Sequence, residues 1–267
     1  MHFDASTTRR QGFSFHHCLR TGTEKPAFLY KYRSLTERDY SNIRTSSLYF
    51  SPPRAFNDPF DCAIKLQSSV YAGEPPEDYV SGSEAEDLEH IRHFTTSIFA
   101  NQIAQDIDAF LDRCGVCCFA SRPDNLLMWS HYADSYRGAC LEFSTDARLF
   151  DTVQAVIYQP HVPSIEQFNG GLRGALNADI TPLFRMKSDV WAYEEEWRLR
   201  AWTPGLNTYE PSGLTAIYFG PCILEGQFLR LALDAYRANP AIRFFRARRE
   251  VAHYKLSFEE VSSRFCR

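Results

Sequence analysis

Three short stretches concentrate the side chains that can do chemistry. In Trp191-Ala-Tyr-Glu-Glu-Glu-Trp-Arg-Leu-Arg-Ala-Trp202 the pattern from Glu196 onward alternates, so Trp197, Leu199 and Ala201 take one strand face while Glu196, Arg198 and Arg200 take the other. Glu194 shares that parity if the strand starts early. A carboxylate fixed there can balance a developing positive charge or move a proton. The plainer reading is an ion-pair ladder on a solvent face. Met128-Trp-Ser-His-Tyr-Ala133 places Trp129, Ser130, His131 and Tyr132 on consecutive helical positions, so they cannot all face one core, and His131 carries the imidazole that proton-transfer sites use most often. In Arg54-Ala-Phe-Asn-Asp-Pro-Phe-Asp61, Phe56 and Phe60 stand beside Asn57, Asp58 and Asp61. This is either an Asx turn anchored by two rings or a loop whose rings stack on a flat ligand. A third chemistry gathers Asp58, Asp61, Glu194 and Glu196 around a divalent ion for nuclease action, with Lys187 or Arg198 meeting the phosphate, although no compact motif fixes those spacings.

Such residues need a frame, and hydrophobic periodicity indicates one. Strands are expected at 27–33, 47–51, 116–120, 139–143, 153–158, 196–202, 214–219, 241–247 and 251–256. Helices are expected from a Thr36 cap through Ile43, from Leu88 to Leu111 with Gly115 as the stop, from an Asp124 cap to a left-handed Gly138, over 183–190, and from Leu224 through Ala235. Strands outnumber strong helices, which makes the class α+β. A polar leader, 1–26, precedes a single domain, 27–267. Between Glu74 and Glu89 there are seven acidic residues and no Lys or Arg, so a mobile acidic insertion is expected near 72–86.

A formal charge of −4 and a pI near 6.1 give no global reason to expect nucleic acid. The local exception is Arg243, Arg246, Arg248 and Arg249, which form either a solvated basic face or a phosphate contact. Neither a secretory signal nor a run of about 18 apolar residues is visible, so a soluble cytoplasmic protein without membrane contact is expected. The eight cysteines are then reduced and mostly buried; Cys114-Gly-Val-Cys117 has metal or redox spacing but precedes a strand and lacks a second pair, which favours core packing.

Four stretches taken together resemble the bacterial domain of unknown function 2971: Leu29–Arg33, Ser51–Asp61, Met128–Ala133 with Gly138 and Glu142-Phe143, and Trp191–Arg198. The layout also resembles the ADP-ribosyltransferase fold. That second resemblance implies a mixed, mostly antiparallel sheet split around a central cleft, with peripheral helices and with NAD as the substrate held in the cleft. It implies Glu196 as the carboxylate that steadies the ribosyl cation, Glu194 as activator of the acceptor, and His131 as a general base or substrate contact. Arg33 would then pair with the diphosphate and Tyr32 or Tyr132 would stack on nicotinamide, while Ser51 and Ser130 line the cleft and Asn57, Asp58 and Arg198 complete the binding set. The acceptor, protein or nucleic acid, is not specified; bacterial defence or toxin action is the associated setting. On this reading Glu196→Gln abolishes NAD turnover and leaves thermal stability nearly unchanged. The competing classes are the metal-dependent nuclease and a non-catalytic module that binds a nucleotide or protein through Phe56 to Phe60.

Overall fold

The computed structural model describes residues 24–64, 101–164 and 181–263. The first 23 residues of the expected leader, the acidic insertion, the first part of the 88–111 helix and most of the 161–179 segment lie outside the described residues.

The architecture is α+β, built on an eight-stranded sheet in the order β12-β11-β10-β4-β1-β3-β8-β5. Its strands are β1 (Phe28–Arg33), β3 (Gly115–Ala120), β4 (Ala139–Ser144), β5 (Gln154–Ala155), β8 (Glu196–Ala201), β10 (Leu214–Phe219), β11 (Arg243–Arg249) and β12 (Leu256–Val261). Every pairing is antiparallel except β10 with β11. Two smaller sheets pair β2 (Ser47–Phe50) with β9 (Gly205–Thr208), and β6 (Ile157–Gln159) with β7 (Met186–Ser188).

Alternation along the strands separates two faces. One carries Leu29, Phe119, Leu141, Phe143, Leu199 and Phe219 and is closed by helices α1 (Glu37–Arg44) and α3 (Glu225–Ala238), which contribute Tyr40, Ile43, Phe228, Leu231 and Ala235 to the main core. Burying each Leu, Ile or Phe side chain among these stabilises the fold by about 1.5–3 kcal/mol. The other face carries Tyr32, Ala120, Cys140 and Tyr218, and the short helix α2 (Leu126–Tyr132) lays Met128 and Trp129 on it.

The sheet is open at one seam. β1 pairs with β4 along its whole length, from Phe28↔Ser144 to Arg33↔Ala139, yet meets β3 only at Tyr30↔Ala120. Beyond that pair the two strands part, and the isolated bridge Ser51↔Val116 brings the end of the β2 segment against β3. The expected split of the sheet around a cleft reduces to this local parting of β1 and β3 within one continuous eight-stranded sheet.

Several local expectations are corrected. The cap of α2 is Asn125, whose side chain accepts from the Leu127 and Met128 N–H groups; Asp124 pairs instead with Arg122 at 2.7 Å. The left-handed residues after α2 are Asp134, Ser135 and Tyr136, not Gly138. Gly138 is needed for contact instead: a Cβ there would lie 2.1 Å from the Arg33 carbonyl oxygen. The helix expected over 88–111 ends at Arg113, just before Gly115, which also opens β3 and where a Cβ would meet Phe50 at 2.8 Å. The expected strand 153–158 breaks at Val156, whose N–H donates to the Glu196 carbonyl while the chain leaves for β6. The expected helix at 183–190 is β7 between two 3-10 turns, because pairing with β6 overrides the local pattern. Residues 251–254 are exposed bends ahead of β12. Among the described residues no helix is long and apolar enough to cross a membrane.

Candidate functional site

Glu196 is the first residue of β8, and its side chain points to the face opposite Trp197 and Leu199. The residue before it, Glu195, adopts φ 45°, and this left-handed corner turns the preceding 3-10 helix so that Glu194 enters the same space. A non-glycine residue held there costs about 1–2 kcal/mol. The corner is clamped from outside: the Ser121 N–H donates to the Glu195 carbonyl, the Ser121 hydroxyl donates to its carboxylate, and Arg122 lies 3.6 Å from it. Two glutamates one residue apart in a strand register would share a face anyway; here the strand begins after the corner, and the corner does the aiming.

Lys187, on β7, joins them. Its Nζ donates to Glu194 Oε2 at 2.6 Å and to Glu196 Oε2 at 3.0 Å, and Asp61 Oδ2 lies 3.6 Å away. Arg198, two residues along β8, donates Nε to Glu196 Oε1 at 2.7 Å and one N–H to Oε2 at 2.9 Å. It also donates to both Asp61 oxygens at 2.7 Å and to the Phe184 carbonyl at 3.1 Å. All the guanidinium donors are therefore engaged within the protein. Tyr132, at the end of α2, donates its hydroxyl to Glu194 Oε1 at 2.7 Å and accepts from the Asn57 amide at 3.1 Å. The Glu196 N–H donates to the Tyr158 hydroxyl at 2.8 Å.

Three carboxylates thus face two cations, leaving one net negative charge in a buried place. Glu196 and Arg198 are 4% and 3% exposed, so the ladder on a solvent face is overturned. Burial alone would raise both glutamate pKa values, but the environments differ. For Glu196 the burial penalty is outweighed by the charge and hydrogen bonds of Arg198 and by Lys187, which hold it at about 2. For Glu194 burial prevails over Lys187 and Tyr132, and its pKa lies above the ordinary value. Lys187 loses affinity for its proton through burial but gains more from Glu196, Glu194 and Asp61, and is held firmly protonated. Adjacent carboxyls with proton affinities pushed apart are the arrangement of a permanent anion beside a proton carrier.

Both glutamates, Asp61, Lys187 and Tyr132 line a cavity of about 380 Å³ that extends along the β1–β3 seam past Tyr30, Lys31 and Cys118. That volume falls within the ordinary range for small-ligand sites. Residues 128–199 match the family model described as a protein of unknown function, DUF2971. The match bears out the first resemblance and takes in α2 from Met128 onward, Lys187, both glutamates and Arg198, so all of the cluster but Asp61 lies inside the matched segment. No curated protein and no solved structure matches the chain.

The remaining expected site residues divide. Tyr132, Glu194, Glu196, Ser51 and Asn57 line the cavity. Tyr32 and Arg33 also border it, but their polar groups are engaged: the Tyr32 hydroxyl donates to the Arg122 carbonyl with its ring edge-on to Trp129, and Arg33 pairs with Asp39 at 2.5 Å. Arg198 serves as framework. Ser130 and His131 lie outside the cavity, His131 with Nδ1 3.1 Å from the Tyr193 hydroxyl. Asp58 also lies outside, and its Oδ1 accepts the Phe60 N–H, so the loop is an Asx turn. Phe60 is 67% exposed and anchors nothing, whereas Phe56 lies under the Arg198 guanidinium at 5.4 Å.

For the nuclease reading, the ammonium of Lys187 already occupies the position among Asp61, Glu194 and Glu196 that a divalent ion would take, and Asp58 points elsewhere. Among the described residues no group of three or more candidate ligands is arranged to hold a metal ion. Arg246 and Arg248 pair with Glu225 and Glu259 at 2.5 and 2.6 Å, and Arg243 lies 3.9 Å from Glu142, so that basic cluster is largely compensated. The six described cysteines are free. Lys187 as the bridge between the two acids was hidden from sequence reasoning because its segment reads as a helix. The motif's parity was the available signal for Glu196, and none existed for Asp61 as partner of Arg198.

Proposed function

We propose that this chain cleaves the nicotinamide–ribose bond of NAD and passes the ADP-ribosyl group to water or to an acceptor. The observation that carries the reading is the pair Glu194 and Glu196, joined by one ammonium in one cavity, with their proton affinities driven in opposite directions. As the C1′–N bond breaks, its electron pair leaves with nicotinamide and positive charge spreads over the ribose ring. The net negative cluster offsets that charge, with Glu196 as its fixed anion. An attacking hydroxyl then bonds to C1′ and its proton goes to Glu194, which is poised closer to neutral pH than an ordinary carboxylate. Tyr132 and Lys187 orient Glu194 through its two oxygens. The reaction needs no metal ion, and an acceptor in bacterial defence or toxin action, with the cytoplasm as the source of NAD, is the setting that suits it.

The test is release of nicotinamide from NAD by the purified full chain, with and without chelator. Release at the same rate in both is expected. Stabilisation by NAD with no nicotinamide formed would replace the enzyme by a nucleotide-binding module, and product that disappears with chelator would contradict the mechanism.

A further inference from the structure

The cavity has two unlike ends. At the β7–β8 end lies the cluster with one net negative charge. The other end is built by β1, α1 and β2, and its lining includes Lys31, Arg33, Arg38 and Asp39. Arg33 is neutralised there: its Nε and one terminal nitrogen lie 2.6 and 2.5 Å from Asp39 Oδ1, while Asp39 also accepts the Thr36 N–H at the start of α1. Lys31 and Arg38 are different. Neither has a described carboxylate within ion-pair distance. Arg38 stacks over the Tyr49 ring at 5.0 Å, and Lys31 sits 5.1 Å from the centre of the Phe119 ring.

The position of Lys31 follows from the open seam. One residue past the single Tyr30↔Ala120 pair, β1 no longer reaches β3, and the Cys118 carbonyl has no β1 amide facing it. The Lys31 ammonium fills that role, donating to the Cys118 oxygen at 2.8 Å. That uses one of its three N–H donors, and Lys31 lines the cavity with the other two available to a ligand. The same Cys118 pairs across the β3–β8 ladder with Arg198, two residues from Glu196, so a single residue of β3 stands between the ammonium and the acidic end. A ligand with fixed negative charge at one end and a bond that turns cationic at the other would match both ends at once.

We propose that Lys31, assisted by Arg38, is the phosphate-binding subsite of this cavity and takes the diphosphate of a nucleotide whose ribose lies against Glu194 and Glu196. The proposal rests on the nucleotide reading given above, and it moves the phosphate contact from Arg33 to residues whose charge is not already spent.

The experiment measures calorimetric binding of three probes, ADP-ribose, nicotinamide riboside and inorganic pyrophosphate, to wild type, Lys31→Met, Lys31→Arg and Arg38→Gln. A charge-assisted contact to phosphate is worth enough that Lys31→Met should weaken ADP-ribose by about tenfold or more. Nicotinamide riboside, which has the same glycosidic bond and no phosphate, should change by less than about twofold. Lys31→Arg should bind ADP-ribose nearly as wild type does, and the exposed Arg38→Gln, which keeps the subsite testable if Lys31→Met does not fold, should weaken it by about threefold. Pyrophosphate bound by wild type and lost in Lys31→Met, without ADP-ribose binding, keeps the anion subsite and removes the nucleotide reading. ADP-ribose binding that depends on Lys31 in a protein that does not turn over NAD keeps the subsite and removes the catalytic reading. Equal ADP-ribose affinity in wild type and Lys31→Met, equal loss of both ribosides, or no uptake of ADP-ribose or pyrophosphate by wild type would each overturn the proposal.

Discussion

Glu194 and Glu196 are expected to answer differently to substitution because burial raises the proton affinity of the first while the second holds two cations in place. Removing the charge at Glu196 leaves Arg198 and Lys187 buried with too few partners, and breaking a buried pair costs about 3–5 kcal/mol. Glu196→Gln is therefore expected to lower the denaturation midpoint sharply, which corrects the expectation of unchanged thermal stability and makes it a poor probe of catalysis. Glu194→Gln removes the excess negative charge and is expected to keep a melting temperature close to wild type while losing roughly 10²–10⁴-fold of turnover, the usual contribution of a positioned proton carrier. The pH profile follows the same division. Activity that needs ionised Glu194 should fall as pH drops through a pKa above the ordinary 4.5. Because the folded-state pKa of Glu196 is lowered, its stabilising contribution is present above 4.5 and is lost as pH falls toward about 2. The pKa of Glu194 is raised, so its contribution has the opposite sign, present below 4.5 and lost as pH rises through its folded value. Denaturation midpoints of wild type and Glu196→Gln between pH 5 and 3 should converge; parallel curves would contradict the assignment.

Among the elements, the turn after α2 carries the sharpest constraint. Asp134, Ser135 and Tyr136 are left-handed in succession, and the turn is pressed against two glycines: a Cβ on Gly138 would stand 2.1 Å from the Arg33 oxygen, and one on Gly220 would stand 2.1 Å from the Tyr136 oxygen. Exposed Ser135→Val should destabilise by about 1–2 kcal/mol in urea titration while Ser135→Gly should not, since only the former worsens a left-handed residue. Gly138→Ala should cost about 3 kcal/mol by forcing β1 away from the turn, and an unchanged midpoint would show that the strand end yields freely. This turn also measures what the sequence discloses. The helix and the following strand were legible from the apolar spacing, but the helix ends at Tyr132 and not at a left-handed Gly138, and left-handed geometry in Asp-Ser-Tyr has no local signal because tertiary contact imposes it. The same holds for β7. Met186–Ser188 has no strand pattern of its own and becomes one by pairing with β6, which is why Lys187 was not recognised as the bridge between the acids. Glu196 was legible because strand parity is a local property. Its burial was not, since that depends on the loop bearing Asp61 and on the end of α2.

For the whole molecule, the open seam between β1 and β3 is the feature from which the cavity follows. One face of the sheet is closed by two helices, and among the described residues polar side chains such as Lys31, Arg33 and Lys187 border the space near the seam. A nucleotide bound there bridges β1 to β3 and should stabilise the fold by mass action, about 2.7 kcal/mol at a hundredfold excess over its dissociation constant. A thermal scan of Glu194→Gln with NAD would show this without turnover, and an unmoved transition would argue that NAD does not occupy the seam. The most direct single measurement compares nicotinamide release from NAD by wild type and Glu194→Gln prepared and assayed side by side. Release by wild type and its loss in a folded Glu194→Gln is the predicted result; equal release by both, or none by wild type, would contradict Glu194 as the proton carrier of an NAD-cleaving site.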